Sequence, residues 1–205
     1  MRPANMIVIM SDEHHPRAMG CAGHPFVKTP NLDRLAARGT MFDAAYCNSP
    51  ICVPSRASFA TGRYVNEIGN WDNAFPYEGT PRSWAHRLSA AGHRVASIGK
   101  LHYRDEQADT GFGEQRVPMH VVNGVGDVLG CVREPLPARW KTREMAEKIG
   151  PGETSYVRYD RTIRDEAVAW LEARAKERTS GASKPWTCFV SMVTPHFPQI
   201  GRAHV

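Results

Sequence analysis

Short apolar runs alternate with longer amphipathic stretches along this chain. The run over residues 6–10 predicts a strand buried on both faces of a parallel sheet, and the runs over 95–99 and 186–193 predict further strands. Residues 160–178 repeat apolar positions at helical spacing and predict an amphipathic helix. A strand is also expected over residues 40–46. The alternation predicts an α/β fold class.

Two further helices are predicted from residues that typically begin and end helices. Thr29 is expected to cap a helix that ends at Gly39, with Leu32 and Leu35 on its inward stripe. The same Thr-Pro…Gly punctuation recurs over residues 80–92 and predicts a second helix. Both helices are interpreted as structural.

Polar side chains follow each predicted strand at its carboxyl end, where open α/β sheets bind ligands. Asp12 and Glu13 follow the first strand, and their oxygens suit Ca²⁺, Mg²⁺ or Mn²⁺. Lys100 and His102 follow the second predicted strand, and alternation places their side chains on the same side of the chain. Lys100 would be a fixed cation, and His102 could move protons near neutral pH. His196 follows the third. Capping acids, a solvated Lys–His pair and an incidental loop histidine remain the structural alternatives.

The segment over residues 52–63 contains a candidate nucleophile. Pro54 suits the first position of a helix, and Gly62 is placed to end it. Cys52 is therefore expected at the positive end of a short helix, and Arg56 adds a cation one turn later. A reactive cysteine beside an anion site competes with a buried, inert cysteine, which a lone cysteine usually is.

Composition narrows the classes of protein. The 205 residues suggest one domain or part of one, and the formal charge of +5 suits an anionic substrate without a basic block for nucleic acid. No apolar run is long enough to cross a membrane. Five cysteines without C-x-x-C pairing, and a start without a signal peptide, favour a cytoplasmic location.

The segment Cys-x-Pro-Ser-Arg followed by Thr-Gly-Arg, within residues 52–63, resembles the signature of the type I sulfatases. In that family the cysteine is oxidised to formylglycine, whose hydrated aldehyde is the nucleophile. The resemblance covers residues 7–198 and implies a fold like alkaline phosphatase and the sulfatases, with a mixed, largely parallel sheet sandwiched by helices. It also implies an amino-terminal part of the catalytic domain, without its carboxy-terminal half.

The resemblance assigns roles to eight residues. Catalytic roles fall on Cys52, Arg56, Lys100, His102 and His196. Substrate-binding roles fall on Asn73, Lys100 and His196, and metal-binding roles on Asp12, Glu13 and Cys52. Glu13 departs from the family, which more often has Asp or Gln there.

The implied cofactors are formylglycine and a divalent metal, with Ca²⁺ preferred and Mg²⁺ or Mn²⁺ as alternatives. The implied partners are a small sulfate ester and a formylglycine-generating enzyme. A homo-oligomer is compatible with the resemblance, and neither nucleic acid nor a membrane is expected as a partner. The start of the chain and residues 71–73 are most like choline sulfatases. A phosphonate monoester or phosphodiester hydrolase, or an inactive fragment, is the alternative.

The domain prediction divides the chain near its end. Residues 1–199 are interpreted as part of a sulfatase catalytic domain, with an irregular, substrate-facing insertion over residues 103–153. Residues 200–205 are interpreted as a non-native tail, because their back-translation resembles a sequencing adapter.

Overall fold

A parallel four-stranded sheet forms the centre of the protein. The structure is a computed structural model that describes residues 4–147, 152–179 and 184–197; the predicted non-native tail lies outside them. The strands are β1 (Met6–Ser11), β2 (Arg94–Lys100), β3 (Glu114–Met119) and β4 (Trp186–Met192), in the spatial order β1-β4-β2-β3. All neighbouring pairs are parallel, which confirms the α/β prediction with a largely parallel sheet.

Helices cover both faces of this sheet. They are α1 (Pro30–Ala36), α2 (Cys52–Thr61), α3 (Val65–Ile68), α4 (Trp84–Ala90), α5 (Trp140–Glu147) and α6 (Ser155–Thr179). Helix α6 buries Ile163 and Trp170 against Ile98 and Val190 on one face. On the other face, α2 and α4 surround Phe189. Alternate residues of a strand point to opposite faces, so neighbouring positions of β4 serve both cores. No helix of the described residues is long and apolar enough to cross a membrane.

Strand β1 forms as predicted but lies at an edge of the described sheet. The prediction that it is buried on both faces is therefore wrong for the described residues: the side chains of Ile7 and Ile9 are 43% and 65% exposed. Helix α6 packs over β2, β3 and β4, and β1 pairs with β4 alone. Leu32 and Leu35 on α1 are likewise exposed rather than inward. An apolar pattern predicts an element but not what covers it.

Three local predictions also differ from the structure. The Thr29 hydroxyl does not cap α1; it donates to Asp33 Oδ1 at 2.7 Å and accepts from the Gly20 N–H at 2.9 Å. Residues 40–46 form no strand, because that segment pairs with no described strand. The segment 103–153 was expected to be irregular, but it contains β3 and α5. Strand β3 mixes polar and apolar residues, and all of its side chains are half-buried.

The carboxyl ends of β1 and β4 are joined to each other and to α6 by hydrogen bonds. Ser11, at the end of β1, donates its hydroxyl to the Thr194 carbonyl at 2.7 Å. Asp160 on α6 accepts the backbone N–H groups of Val193 and Thr194, at 2.7 and 2.8 Å, and also the Thr194 hydroxyl. The loop after β4 is therefore fixed from two sides.

Candidate active site

Helix α2 presents Cys52 at its first position. The helix begins two residues earlier than Pro54 suggested, after Ile51 in an extended conformation, and it ends as predicted at Gly62 with φ +67°. Asn73 Oδ1 accepts the Val53 N–H at 3.1 Å, which satisfies one of the free amides of the helix end. Asn73 therefore joins the turn after α3 to the residue that follows Cys52.

Two cations face the carboxylate of Asp12 in the protein interior. Lys100 Nζ donates to Asp12 Oδ2, and an Arg56 Nη atom lies 3.5 Å from the same oxygen. The three residues are 9%, 2% and 4% exposed, in the order Asp12, Lys100 and Arg56. Arg56 is held in turn by the Lys100 carbonyl at 2.6 Å and Ser191 Oγ at 3.0 Å. Burial alone would raise the pKa of Asp12, but the nearby Lys100 and Arg56 hold it below its ordinary value.

Positive groups also surround the Cys52 side chain. Its Sγ lies 3.9 Å from Lys100 Nζ and 3.9 Å from His196 Nε2. The hydrogen bond with Cys52 is the main cause that raises the pKa of His196, against the opposing effect of burial. Together with the free N–H groups of α2, these side chains create a site suited to an anion.

Glu13 lies against the loop that carries His196. Its Oε2 accepts the Phe197 N–H at 2.7 Å, and its Oε1 lies 3.2 Å from His196 Nε2. The backbone of Glu13 has φ +57°, a conformation that side-chain-bearing residues rarely adopt. Glu13 therefore orients the His196 loop in this structure, and its metal ligation stays a prediction.

His102 lies just beyond the end of β2, two residues after Lys100. It lines a cavity of about 200 Å³ together with Asn73, Val53 and Asp127, and its buried Nδ1 has no hydrogen-bond partner among the described residues. Burial, with the charges of Lys100 and Arg56, lowers the pKa of His102 to about 3. This side chain is therefore neutral near neutral pH, and its role in proton transfer stays a prediction.

The structure thus collects the candidate residues around one point. The ligand atoms of Asp12, Cys52 and His196 lie within 4.8 Å of one another. A cavity of about 400 Å³ opens beside them and is lined also by Glu13 and Cys47.

Sequence reasoning missed the residues that support this cluster. Asp160 was interpreted only as the start of a helix, and Ser191 only as part of a strand. Asp160 lies on the buried stripe of α6, three residues before Ile163 and seven before Ala167. A charged residue on an apolar stripe was the signal that could have found it.

Comparisons with known proteins identify related sequences. The family model described as Sulfatase matches residues 4–202. A choline-sulfatase from Rhizobium meliloti is 29% identical over 202 residues, which is 97% of this chain and 39% of that protein. An N-acetylglucosamine-6-O-sulfatase from Bacteroides thetaiotaomicron is 39% identical over 102 residues, covering 50% of this chain and 18% of that protein.

Solved structures give the same result for the fold. A protein in complex with its substrate, D-glucosamine-2-N,6-O-disulfate, superimposes with a TM-score of 0.68 at 29% identity, over 96% of this chain and 35% of that one. The phosphonate monoester hydrolase of Agrobacterium radiobacter superimposes with a TM-score of 0.64 at 20% identity, over 96% and 42% of the two chains. The present chain therefore spans less than half the length of each of these proteins.

Proposed function

Because this chain belongs to the sulfatase family, we propose that the protein of which it forms a part hydrolyses a small sulfate monoester, with formylglycine made from Cys52. The observation that carries this proposal is the position of Cys52. It begins α2, it lies 3.9 Å from both Lys100 and His196, and the buried Asp12 stands beside it. Formylglycine, once formed there, supplies the nucleophile.

Negative charge that develops on the sulfuryl oxygens requires fixed cations. Lys100 and Arg56 are buried, positively charged and already directed at one anion, the carboxylate of Asp12. Such charges need little reorganisation when the reaction occurs. We assign Lys100 to the sulfuryl group, with Arg56 holding the Lys100 backbone through its carbonyl. The amide of Asn73, at the other side of α2, contributes a further contact to the anion.

The two histidines suit different proton transfers. In the unconverted chain the pKa of His196 is raised, chiefly by its hydrogen bond with Cys52. By the family resemblance we assign His196 to protonate the departing alcohol in the converted protein. The pKa of His102 is lowered to about 3, so its ring is neutral near neutral pH, and the acceptor role given to it here rests on the family resemblance. We assign His102 to accept a proton from the residue that replaces Cys52.

The donors at the end of β1 fit a hard divalent cation. Asp12 and Glu13 offer carboxylate oxygens, and the Lys100 ammonium already lies against Asp12, so this carboxylate accepts a positive charge. Asp12, with Glu13 and an oxygen at position 52, would hold Ca²⁺, or alternatively Mg²⁺ or Mn²⁺. When bound, the cation supplies fixed positive charge beside the reacting group.

The substrate class is a small alkyl, aryl or sugar sulfate, with choline sulfate first because of the similarity to a choline-sulfatase. A phosphonate monoester or phosphodiester hydrolase is the second candidate, because the Agrobacterium enzyme shares the fold. The Lys100–His102 pair, which the sequence resemblance assigns to sulfatases, favours the first. We also propose maturation by a formylglycine-generating enzyme, a cytoplasmic location, and no turnover by the 205-residue chain alone.

A substrate panel tests the proposed reaction. The complete protein, co-expressed with the converting enzyme, is assayed with choline sulfate, an aryl sulfate and a phosphonate monoester, with and without a chelator. We expect the highest kcat/KM for a sulfate ester and loss of turnover with the chelator. A preference for the phosphonate would support the second candidate, and the 205-residue chain serves as the parallel sample.

A further inference from the structure

The cluster at Cys52 contains donors that a hard cation does not prefer. Cys52 offers sulfur, His196 offers an imidazole nitrogen and Asp12 offers a carboxylate, and these ligand atoms lie within 4.8 Å of one another. Sulfur, nitrogen and oxygen donors in one group are typical of Zn²⁺ sites, whereas Ca²⁺ and Mg²⁺ take oxygen. The chain before maturation therefore has a different ligand chemistry from the chain with formylglycine.

The imidazole of His196 is already oriented for ligation. Its Nδ1 lies 2.9 Å from the Phe197 carbonyl oxygen and donates its hydrogen there, so Nε2, which faces Cys52 Sγ at 3.9 Å, is the nitrogen that would bind a metal after giving up any proton it carries. A backbone carbonyl on the second nitrogen is the usual partner of a metal-binding histidine. Glu13 accepts the Phe197 N–H at 2.7 Å and places its other oxygen 3.2 Å from Nε2, so it offers a fourth donor.

The charges around this cluster also accept a divalent ion. Lys100 and Arg56 lie against Asp12, and their positive charges would repel a bound metal ion. Asp12, Glu13 and a Cys52 thiolate outnumber them by one negative charge. One carboxylate oxygen of Asp12 receives both cations, so its other oxygen is the ligand that we consider.

We propose that the unconverted chain binds one Zn²⁺ through Cys52 Sγ, His196 Nε2 and Asp12, with Glu13 as the fourth ligand. Binding forms a sulfur–zinc bond and releases the thiol proton to solvent. Conversion of Cys52 to formylglycine replaces sulfur by oxygen, so the preference of the site moves from Zn²⁺ to a hard cation. Bound Zn²⁺ also shields the thiolate and slows its oxidation. This inference concerns the unconverted protein and does not depend on sulfatase turnover.

Cobalt titration tests the ligand set. The reduced, metal-free 205-residue chain, expressed without the converting enzyme, is titrated with Co²⁺, which replaces Zn²⁺ and reports sulfur ligation by a thiolate-to-cobalt charge-transfer band. We expect the band to saturate at one equivalent and to disappear on addition of Zn²⁺. Cys52→Ser should abolish it, and Glu13→Gln should weaken Co²⁺ binding about 10-fold. The matched control is Cys47→Ser, since the Cys47 thiol contacts Ser49 and Ser55 instead.

Alkylation of the unaltered chain gives a second test that needs no variant. The rates at which iodoacetamide modifies Cys52 and the exposed Cys47 are measured by peptide mass spectrometry, with and without Zn²⁺. We expect Zn²⁺ to slow modification of Cys52 at least 10-fold and to leave the rate at Cys47 unchanged. Equal effects at both cysteines, or a cobalt–thiolate band that persists in a folded Cys52→Ser chain, would overturn the proposal.

Discussion

Asp12 and Lys100 come from the ends of two different strands, yet their charged groups touch in the protein interior, with 9% and 2% of each residue exposed. β4 lies between these strands in the sheet. The ion pair therefore spans the carboxyl edge of the sheet and fixes one strand end relative to the other. Arg56 from α2 contacts the same carboxylate oxygen, so the helix that carries Cys52 is fixed by the same charge.

The first prediction concerns the stability that Asp12 provides. Asp12→Asn should lower the free energy of unfolding by about 3–5 kcal/mol near neutral pH, because Lys100 and Arg56 are left buried without their anion. The folded pKa of Asp12 is lowered from 3.8. The contribution is thus fully present above pH 3.8 and is lost as the pH falls through the folded value. Urea unfolding at several pH values measures this. Asp43→Asn, at an exposed position, is the control, and an equal loss in both variants would contradict the account.

A second prediction concerns the loop after β4. Asp160→Asn should destabilise the chain by about 1–3 kcal/mol, because one carboxylate accepts two backbone N–H groups and a hydroxyl and an amide replaces one of its oxygens by a donor. Asp165→Asn on the exposed side of α6 is the matched control. Chemical denaturation compares the two variants. The assignment would be wrong if they lost the same stability.

The third prediction follows from the pKa of His102, which is lowered to about 3 from 6.5. Unfolding allows His102 to bind a proton between these values, so the stability of the chain should fall as the pH drops from 6.5. His102→Gln should reduce this pH dependence, whereas His15→Gln at an exposed position should not. NMR titration of the His102 ring should show no protonation between about pH 5 and pH 8, the range in which an ordinary histidine titrates. Protonation of His102 within that window would contradict this prediction.

A fourth prediction separates the two histidines by kinetics. In the complete, converted protein, His196→Ala should slow esters with poor leaving groups by about 10²–10⁴-fold and nearly spare an activated aryl sulfate, because a good leaving group needs no proton. His102→Ala should slow all substrates alike, since its proton does not go to the leaving group. The measurement is kcat/KM against leaving-group pKa for both variants. A steep dependence in His102→Ala, with none in His196→Ala, would reverse these roles.

The sequence predicted β1, β2 and β4 and the polar residues at their ends, because an apolar run and its first polar residues are local features; it did not predict β3, whose residues show no such run. The resemblance to the sulfatases implied that Lys100 and His196 act at the same site as Cys52, and the structure places both within 3.9 Å of its Sγ. The sequence did not predict that Glu13 contacts the Phe197 N–H or that Asp160 holds Thr194. Those contacts join residues more than 30 positions apart, and no local pattern encodes them.

The predictions that one face of β1 and one face of α1 are buried were wrong for a related reason. Ile9 and Leu35 belong to regular apolar patterns, and such patterns indicate that a face is to be covered. The described residues do not cover these faces. The chain matches less than half of the length of its relatives, so its own residues cannot be expected to satisfy each apolar pattern.

We expect sulfate-ester turnover to depend on the modification of Cys52. Peptide mass spectrometry of the complete protein, expressed with graded amounts of the converting enzyme, measures the fraction of Cys52 whose mass has fallen by the difference between CH₂SH and CHO. Cys47, in the same cavity, is the internal control. Sulfate-ester turnover should rise in proportion to conversion of Cys52, and Cys47 should keep its mass. Full turnover by protein in which Cys52 remains an unmodified cysteine would contradict it.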